Sequence, residues 1–249
     1  MAPEAPRFTD KAGAREHVWD RLRDERLARF PFPPHGRIPN FAGAEAAARR
    51  LFEIPAYRDA RCLKVNPDSP QKHVRRRALE LGIAVLVPTP KLADGFHLLD
   101  PRALAPGDFG RAATRTTMAE FSRVLALDEI PVVDAIVTGC AAVTEGGHRC
   151  GKGAGYSDIE WGILMELGHP PVPVATTVHD VQIVGAFPPD AHDLGLHWIV
   201  TPTRIIEVAQ PPAGPDGIDW SLLTEEEIEA MPVLRELRAR GPGGAPQTP

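Results

Sequence analysis

Paired cysteines, long apolar runs and an excess of one charge sign are all missing from this chain of 249 residues. Its three cysteines, Cys62, Cys140 and Cys150, form no CxxC spacing, so neither a disulfide framework nor a zinc ribbon is indicated and a reducing, cytoplasmic setting is expected. No apolar run reaches the roughly 18 residues that a membrane span requires. The first thirty residues are charged throughout and contain no apolar stretch of the kind a secretory signal needs. With a net charge of -5 and an isoelectric point near 6.0, the chain lacks the basic footprint of a nucleic-acid binder. Small-molecule partners are expected, with neither membrane nor nucleic acid among them; the number of subunits is left open.

Proline, by contrast, is plentiful. Its 27 residues crowd at 31–39, 67–70, 170–173, 188–189 and beyond 211, which marks corners and a tail. Hydrophobic residues make up 43% of the chain and run through its whole length, enough to exclude a disordered polymer. A length of 249 residues allows one large domain or two small ones.

Periodicity predicts a helix over 10–29 whose stripe Lys11, Arg15, Val18 and Leu22 shares one face. On spacing alone, the two cations there read as an exposed first turn. A helix is expected over 43–52 and a strand over 61–65. Another helix opens with Ser69 as N-cap and Pro70, buries Val74, Ala78 and Leu81, and stops at Gly82. The run IAVLVP at 83–88 has no polar alternation and reads as a strand buried on both faces. Further strands are expected at 132–138, 172–178, 198–201 and 204–208, with a helix over 157–167 ended by Gly168. Residues 101–127 read as an excursion with one helix near 118–127. This alternation predicts an α/β fold with a mostly parallel sheet flanked by helices. After 208 the chain reads as a proline- and glycine-rich tail, 209–249, with one helix opened by the capping box of Thr224 and Glu227 and a disordered end.

The strongest local signal is GGHRCGKGAGYSDIEWGIL, residues 146–164. Gly151, Gly153 and Gly155 alternate between a strand and a helix, so the backbone can turn tightly and approach a ligand. The helix behind them directs free amides and a positive dipole end at the loop, and Arg149 and Lys152 add full charges. That combination suits phosphate, although neither the GxxxxGK[ST] nor the GxGxxG spacing is met. Asp158 reads either as a helix-favouring acid or as an oxygen ligand for Mg²⁺. The pairs His179-Asp180 and His192-Asp193 read as loop residues, and His35, Arg37 and Asn40 as residues that either line the pocket or hold the proline bend, with the second favoured.

VVDAIVTGCAAVTEGGHRCGKGAGYSD resembles the signature of the 5-formyltetrahydrofolate cyclo-ligase family, in which an aspartate-bearing strand leads to an Arg-x-Gly-x-Gly-x-Gly-Tyr-Tyr-Asp loop. VPVATTVHDVQIVGAFPPDAHDLGLHWIVTPTRII resembles the close of that family, and Lys11-x-x-x-Arg15 its amino-terminal Lys-x-x-x-Arg. The runs RFPFPPHGRIPNF, KVNPDSPQ and LVPTPKL are most similar to the branch of methenyltetrahydrofolate synthetase domain-containing proteins. Animal members of that branch carry an RNA-recognition module, and no such segment follows Pro211 here.

The resemblance implies a domain over 8–208 with a fold related to ribose-5-phosphate isomerase and CoA-transferase domains. It also implies ATP- and Mg²⁺-dependent closure of 5-formyltetrahydrofolate to 5,10-methenyltetrahydrofolate, with ADP and phosphate released. By matching position, Lys11, Arg15 and Arg149 would act on the phosphates. Gly151, Lys152, Gly153, Ala154, Gly155, Tyr156 and Ser157 would form the nucleotide cradle. Asp158 and Asp193 would hold Mg²⁺, and Asp68 and Tyr156 would face the folate. Three positions depart from the family pattern: Asp68 is the only acid near the usual Glu-x-x-Thr, Ser157 replaces the second tyrosine, and Ala154 occupies a place often held by lysine or glycine. The alternative is a family member that keeps a nucleotide or pterin pocket as a binding module without catalysis, and a third option is an enzyme acting on another ATP-activated carbonyl.

Overall fold

A computed structural model of the protein describes residues 5–241. Helix α1 (Lys11–Asp24) begins where the Asp10 carboxylate accepts the Gly13 amide, and it buries Ala14, Val18, Trp19 and Leu22. It ends earlier than its periodicity predicts, because the chain turns through Arg26 at φ +57° into β1 (Ala28–Arg29). After the proline bend β2 (Asn40–Phe41) pairs antiparallel with β1, and the Asn40 side chain donates to the Phe30 carbonyl. His35 contacts Asp20, and Arg37 donates to the Pro33 carbonyl, so the three polar residues hold the bend, and Arg37 in addition lines the cleft described below.

Helices α2 (Ala44–Leu51) and α3 (Pro55–Arg58) lead to β3 (Cys62–Val65), α4 (Lys72–Glu80) and β4 (Ala84–Pro88). Ser69 does not cap α4. Residues 68–71 form a turn held by the buried Arg75 guanidinium, which donates to the carbonyls of Asn66 and Asp68, and the helix starts at Lys72. Its buried side is Val74, Arg75, Ala78 and Leu79, whereas Leu81, expected inside, is 39% exposed at the C-cap. Gly82 stops the helix at φ +78°, a conformation open to glycine.

The excursion that follows contains β5 (Phe96–Leu99), α5 (Phe109–Ala112) and β6 (Arg123–Leu125). The helix expected near 118–127 is absent. Only a 3₁₀ turn at Met118–Glu120 forms there, because residues 123–125 pair antiparallel with β5 as the sheet edge. Next come β7 (Ala135–Thr138), β8 (Ala142–Thr144), β9 (Arg149–Cys150), α6 (Tyr156–Glu166), β10 (Val174–Thr177) and β11 (Ile183–Val184). The chain closes with β12 (Trp198–Val200), β13 (Ile205–Glu207), α7 (Glu225–Ala230) and α8 (Pro232–Arg240).

Eight strands form the main sheet in the order β13-β12-β10-β7-β3-β4-β5-β6. The five central strands are parallel, and β13, β5 and β6 add antiparallel edges. The α/β class and mostly parallel sheet read from the sequence are therefore borne out. From β3 the chain steps to β4 on one side, while β7, β10 and β12 extend on the other. The loops beyond the carboxyl ends of β3 and β7 diverge at this reversal, the position where open α/β sheets hold ligands.

Leu86 packs in one core cluster with Ile136, Ile163 and Ile199, while its neighbour Val85 packs in another with Leu63, Val74 and Val200. Alternate residues of each strand thus feed two layers, as burial on both faces requires. The segment after residue 208, read as a tail with one helix, carries two, divided at Met231. The capping box of Thr224 and Glu227 opens the first. Ile228, Met231, Leu234 and Leu237 join the core cluster around Ile163, and Ile218 lies so close to Gly162 that a Cβ there would meet it at 2.8 Å. The expected disorder of the last nine residues falls, from 242 on, outside the described residues. Among the described residues no helix is long and apolar enough to cross a membrane.

Leu234 is fully buried, so Leu234→Ala leaves a cavity and should lower stability by about 2–5 kcal/mol in urea unfolding. A loss below about 0.5 kcal/mol, the size of a surface substitution, would show that α8 does not share the core.

Candidate functional site

A cleft of about 940 Å³ opens beyond the carboxyl ends of β3, β4 and β7, at the upper end of the size range of ligand sites. Lys11, Arg15, Asp68, Arg149, residues 151–157, Asp158 and Asp193 all line it. Residues far apart in sequence are thus brought to one place.

On one side stand α1 and the glycine loop. Lys11, at the first turn of α1, donates from Nζ to Asp190 and Asp193 at 2.6 Å each. Burial works against its charge, but these two hydrogen bonds outweigh that and raise its pKa above the ordinary lysine value. The same contact holds the Asp190 carboxyl below the usual range. One turn further along α1, the Arg15 guanidinium lies 3.8 Å from where a Cβ on Gly153 would sit. Gly153 takes φ +103° and Gly155, the N-cap of α6, takes φ +66°, so the loop needs residues free to adopt positive φ. No side chain caps α6; the Asp158 and Ile159 amides donate to the Gly155 carbonyl, which leaves those of Tyr156 and Ser157 open at the cleft. Arg149 reaches in from β9, donates to the Leu194 carbonyl at 3.0 Å and pairs with Asp158. Its burial opposes the charge, and the adjacent Asp158 restores it, so its pKa is raised. Arg15 and Lys152 have no ion-pair partner among the described residues.

On the floor lies a polar network that sequence reasoning missed. Lys64 on β3 and Glu160 on α6, 1% and 3% exposed, form a buried ion pair, and Asn66 joins both. Desolvation pushes the Glu160 pKa up and Lys64 counteracts it. The one available signal was a lysine standing alone in an otherwise apolar strand, since buried lysines are paired or functional. Ser157 Oγ accepts from Asn66 Nδ2 at 3.2 Å, which ties the replaced loop position to β3.

Asp68 faces the same space from the loop after β3. Desolvation raises its pKa, and Lys152, Arg75, Lys64 and Arg115 offset part of the rise. Its Oδ2 lies 3.0 Å from where a Cβ on Gly139 would stand, with the unpartnered Gln71 Oε1 at 3.2 Å, so the carboxyl rests on the bare backbone of Gly139. Tyr156 lines the cleft and packs against the core below.

Asp158 and Asp193, the two expected metal ligands, both line the cleft, and the amide of Leu194, next to Asp193, donates to Asp158. Asp193 groups with Asp190 and His192, their ligand atoms within 4.8 Å of one another, whereas Asp158 is outside this group. Oδ1 of Asp158 is taken by Arg149 and by the Leu194 amide at 2.9 Å, and its other oxygen makes no hydrogen bond among the described residues. Carboxylate oxygens are donors that Mg²⁺ accepts, so the set fits a hard cation once Lys11 turns from Asp193 to another anion. His179 instead accepts the Val181 amide and Asp180 binds Thr201 and Thr203, both structural roles. The cysteines are buried, and burial pushes the thiols of Cys62 and Cys140 up to about 12 and about 11, which leaves no thiolate nucleophile near neutrality.

A sequence profile of the 5-formyltetrahydrofolate cyclo-ligase family matches residues 10–202. The methenyltetrahydrofolate synthase domain-containing protein of Mus musculus is 42% identical over 245 residues, which is 95% of this chain and 65% of that protein. The human protein of the same name is 38% identical over 237 residues, 92% of this chain and 62% of its own. The chain therefore spans somewhat less than two thirds of these curated relatives. The NMR structure of Aquifex aeolicus 5,10-methenyltetrahydrofolate synthetase superposes with a TM-score of 0.50 at 15% identity, over 82% of this chain and 96% of that one, a likeness of fold.

Asp68 supplies a pH test. Its raised pKa means that the folded chain holds a proton in a pH window where the unfolded chain has lost it, so stability falls as pH rises through that window. Asp68→Asn should therefore be more stable than the parent at pH 7, and the gain should vanish below the ordinary value of 3.8. A variant less stable than the parent at neutral pH would contradict this environment for Asp68.

Proposed function

The chain belongs to the 5-formyltetrahydrofolate cyclo-ligase family, and from that premise we propose that it closes 5-formyltetrahydrofolate to 5,10-methenyltetrahydrofolate at the expense of ATP. The observation that carries this reading is the convergence of Lys11, Arg15, Arg149 and the glycine loop on one wall of a cleft whose opposite side holds Asp68.

The chemistry explains why such a wall is needed. A formamide carbon is a poor electrophile. Its oxygen attacks the γ-phosphorus of ATP, the bond to ADP breaks, and the carbonyl oxygen becomes part of a phosphate leaving group. N10 then attacks the activated carbon and loses its proton, and the carbon–oxygen bond breaks to release phosphate. Phosphoryl transfer of this kind is accelerated by placement and charge neutralisation. The open amides of α6, Lys152 and Arg15 would bind the phosphates, and Lys11 would exchange Asp193 for a phosphate oxygen. Arg149, fixed by Asp158 and Leu194, would hold the loop in shape and face the transferred group. Asp193 and the free oxygen of Asp158 would hold Mg²⁺, which supplies charge neutralisation at the phosphates. Tyr156 and Asp68 would line the folate side, with the Asp68 carboxyl suited to donate or accept according to its protonation. Buried unpaired cysteines accord with a reducing, cytoplasmic setting.

One observation favours a second reading, a nucleotide-binding module without folate chemistry. Ser157, in place of the family's second tyrosine, spends its hydroxyl on Asn66 and offers no ring to a pterin.

Incubation with 5-formyltetrahydrofolate, ATP and Mg²⁺ should yield the methenyl chromophore together with ADP. ATP binding with no product would reject the cyclo-ligase and leave the module. Lys152→Ala should weaken ATP binding about tenfold, the loss of one charge-assisted contact, by isothermal titration. Unchanged affinity would remove the glycine loop from the nucleotide site.

A further inference from the structure

The glycine loop is held by three arms, and one short segment crosses all of them. Arg149 follows Gly147 closely, at the turn between β8 and β9. Asp193 and Leu194 precede Gly195 in the loop before β12. Asp158 belongs to the first turn of α6, with Trp161 and Gly162 one turn further on. Residues 209–218 touch each of these arms, yet none of them lines the cleft.

The segment, AQPPAGPDGI, forms neither helix nor strand. Its prolines reduce the backbone freedom lost when it is ordered, and its place is set by contact with bare backbone. A Cβ on Gly147 would meet Pro212 Cδ at 2.9 Å, and one on Gly195 would overlap the Pro212 carbonyl oxygen, so a single proline is wedged against both. Beside this wedge the Gly147 carbonyl accepts the Leu196 amide at 2.9 Å. Further along, Gly214 lies against the Trp161 ring, where a Cβ would come within 3.0 Å. The Trp161 indole donates from Nε1 to the Pro215 carbonyl at 2.7 Å. Ile218 then fills the notch at Gly162, and Trp161, Leu194, Leu196 and Ile218 share one buried cluster.

We propose that residues 209–218 are a strap that sets the spacing of the three arms, with Pro212, Trp161 and Ile218 as positioning residues for the nucleotide loop. The proposal rests on the nucleotide reading above and extends it to a region past residue 202, where the family match ends. At the front, Asp158 joins α6 to Arg149 and to the Leu194 amide. A helix pinned to its neighbours at one residue can still pivot about it. The strap adds a second line of contact at Trp161 and Gly162 and connects it, through Pro212, to the arms of Arg149 and Asp193. The pivot is thereby removed. Such support matters because the groups of a binding site must be held to within about 0.5 Å of their working geometry. By linkage, a strap that favours nucleotide binding is itself held down by bound nucleotide, by the same factor.

The test is isothermal titration of ATP with Mg²⁺ into the full chain and into full-length variants. Pro212→Gly removes the ring from both glycines and should weaken ATP binding about fivefold or more, the low end of coupling between distinct sites. Pro212→Ala keeps the Cβ that lies over Gly195 and should fall between that variant and the parent. Leu234→Ala, whose cavity lies in α8, should lose stability and keep the parent's ATP affinity. Affinity that is equal in the parent and both Pro212 variants, or that falls as far in Leu234→Ala, overturns the strap and leaves the nucleotide reading standing. A parent chain that binds no ATP overturns both. Should the variants misfold, the parent alone decides through exchange of the Trp161 indole proton, which is bonded to Pro215 only while the strap is docked. ATP with Mg²⁺ should slow this exchange about fivefold or more, and an unchanged rate in the nucleotide-bound chain contradicts the coupling.

Discussion

One ammonium group joins the two ends of the domain. Lys11 Nζ sits 2.6 Å from carboxylates 179 and 182 residues further along the chain. Exposed ion pairs contribute little, but the side chains of Lys11 and Asp193 are only 17% and 13% exposed, so this one acts where solvent screening is weak. It seats the first turn of α1 against the loop before β12, which in turn lays Arg15 over Gly153. The tie from Arg149 to Asp158 and Leu194 does the same for the glycine loop. The cationic wall of the cleft exists because these two contacts draw residues 11–15, 149–158 and 190–194 together. In the proposed nucleotide site an arriving polyphosphate would compete with Asp190 and Asp193 for Lys11, so that nucleotide binding and release of these carboxylates would be one exchange.

The sheet supplies the other half of the site. Reversal of strand order between β3 and β7 leaves a gap at their carboxyl ends, and Asn66, Asp68 and Gly139 edge it. Stability is traded for this arrangement at two places. The Lys64 and Glu160 charges are buried in a layer where apolar residues of similar volume would commonly be neutral or better. Asp68 is kept in a setting that opposes its ionisation. Both choices are intelligible if the floor must stay polar beneath a ligand.

The parts legible in the sequence are those whose cause is local. Glycines at positive φ, the apolar strand β4 and the capping box at Thr224 each declare themselves within a few residues. The misses have distant causes. Residues 123–125 lie within a stretch that reads as helix, yet they become a strand because the β5 edge lies beside them. Ser69 loses its cap role to a turn fixed by Arg75, and the segment after residue 208 packs because α6 offers Gly162 as a close-contact surface. The candidate site divides in the same way: the glycine loop was readable from its own residues and Lys11 through the family resemblance, whereas Lys64 and Glu160 acquire meaning only once β3 and α6 are neighbours.

The most direct measurement is a crystal structure of the chain with Mg²⁺ and a non-hydrolysable ATP analogue. The account predicts the triphosphate along residues 151–157, with Lys11 withdrawn from Asp193 onto a phosphate oxygen and Arg15 and Lys152 beside it. A nucleotide bound elsewhere, or one bound in the cleft with Lys11 still paired to Asp190 and Asp193, would contradict it.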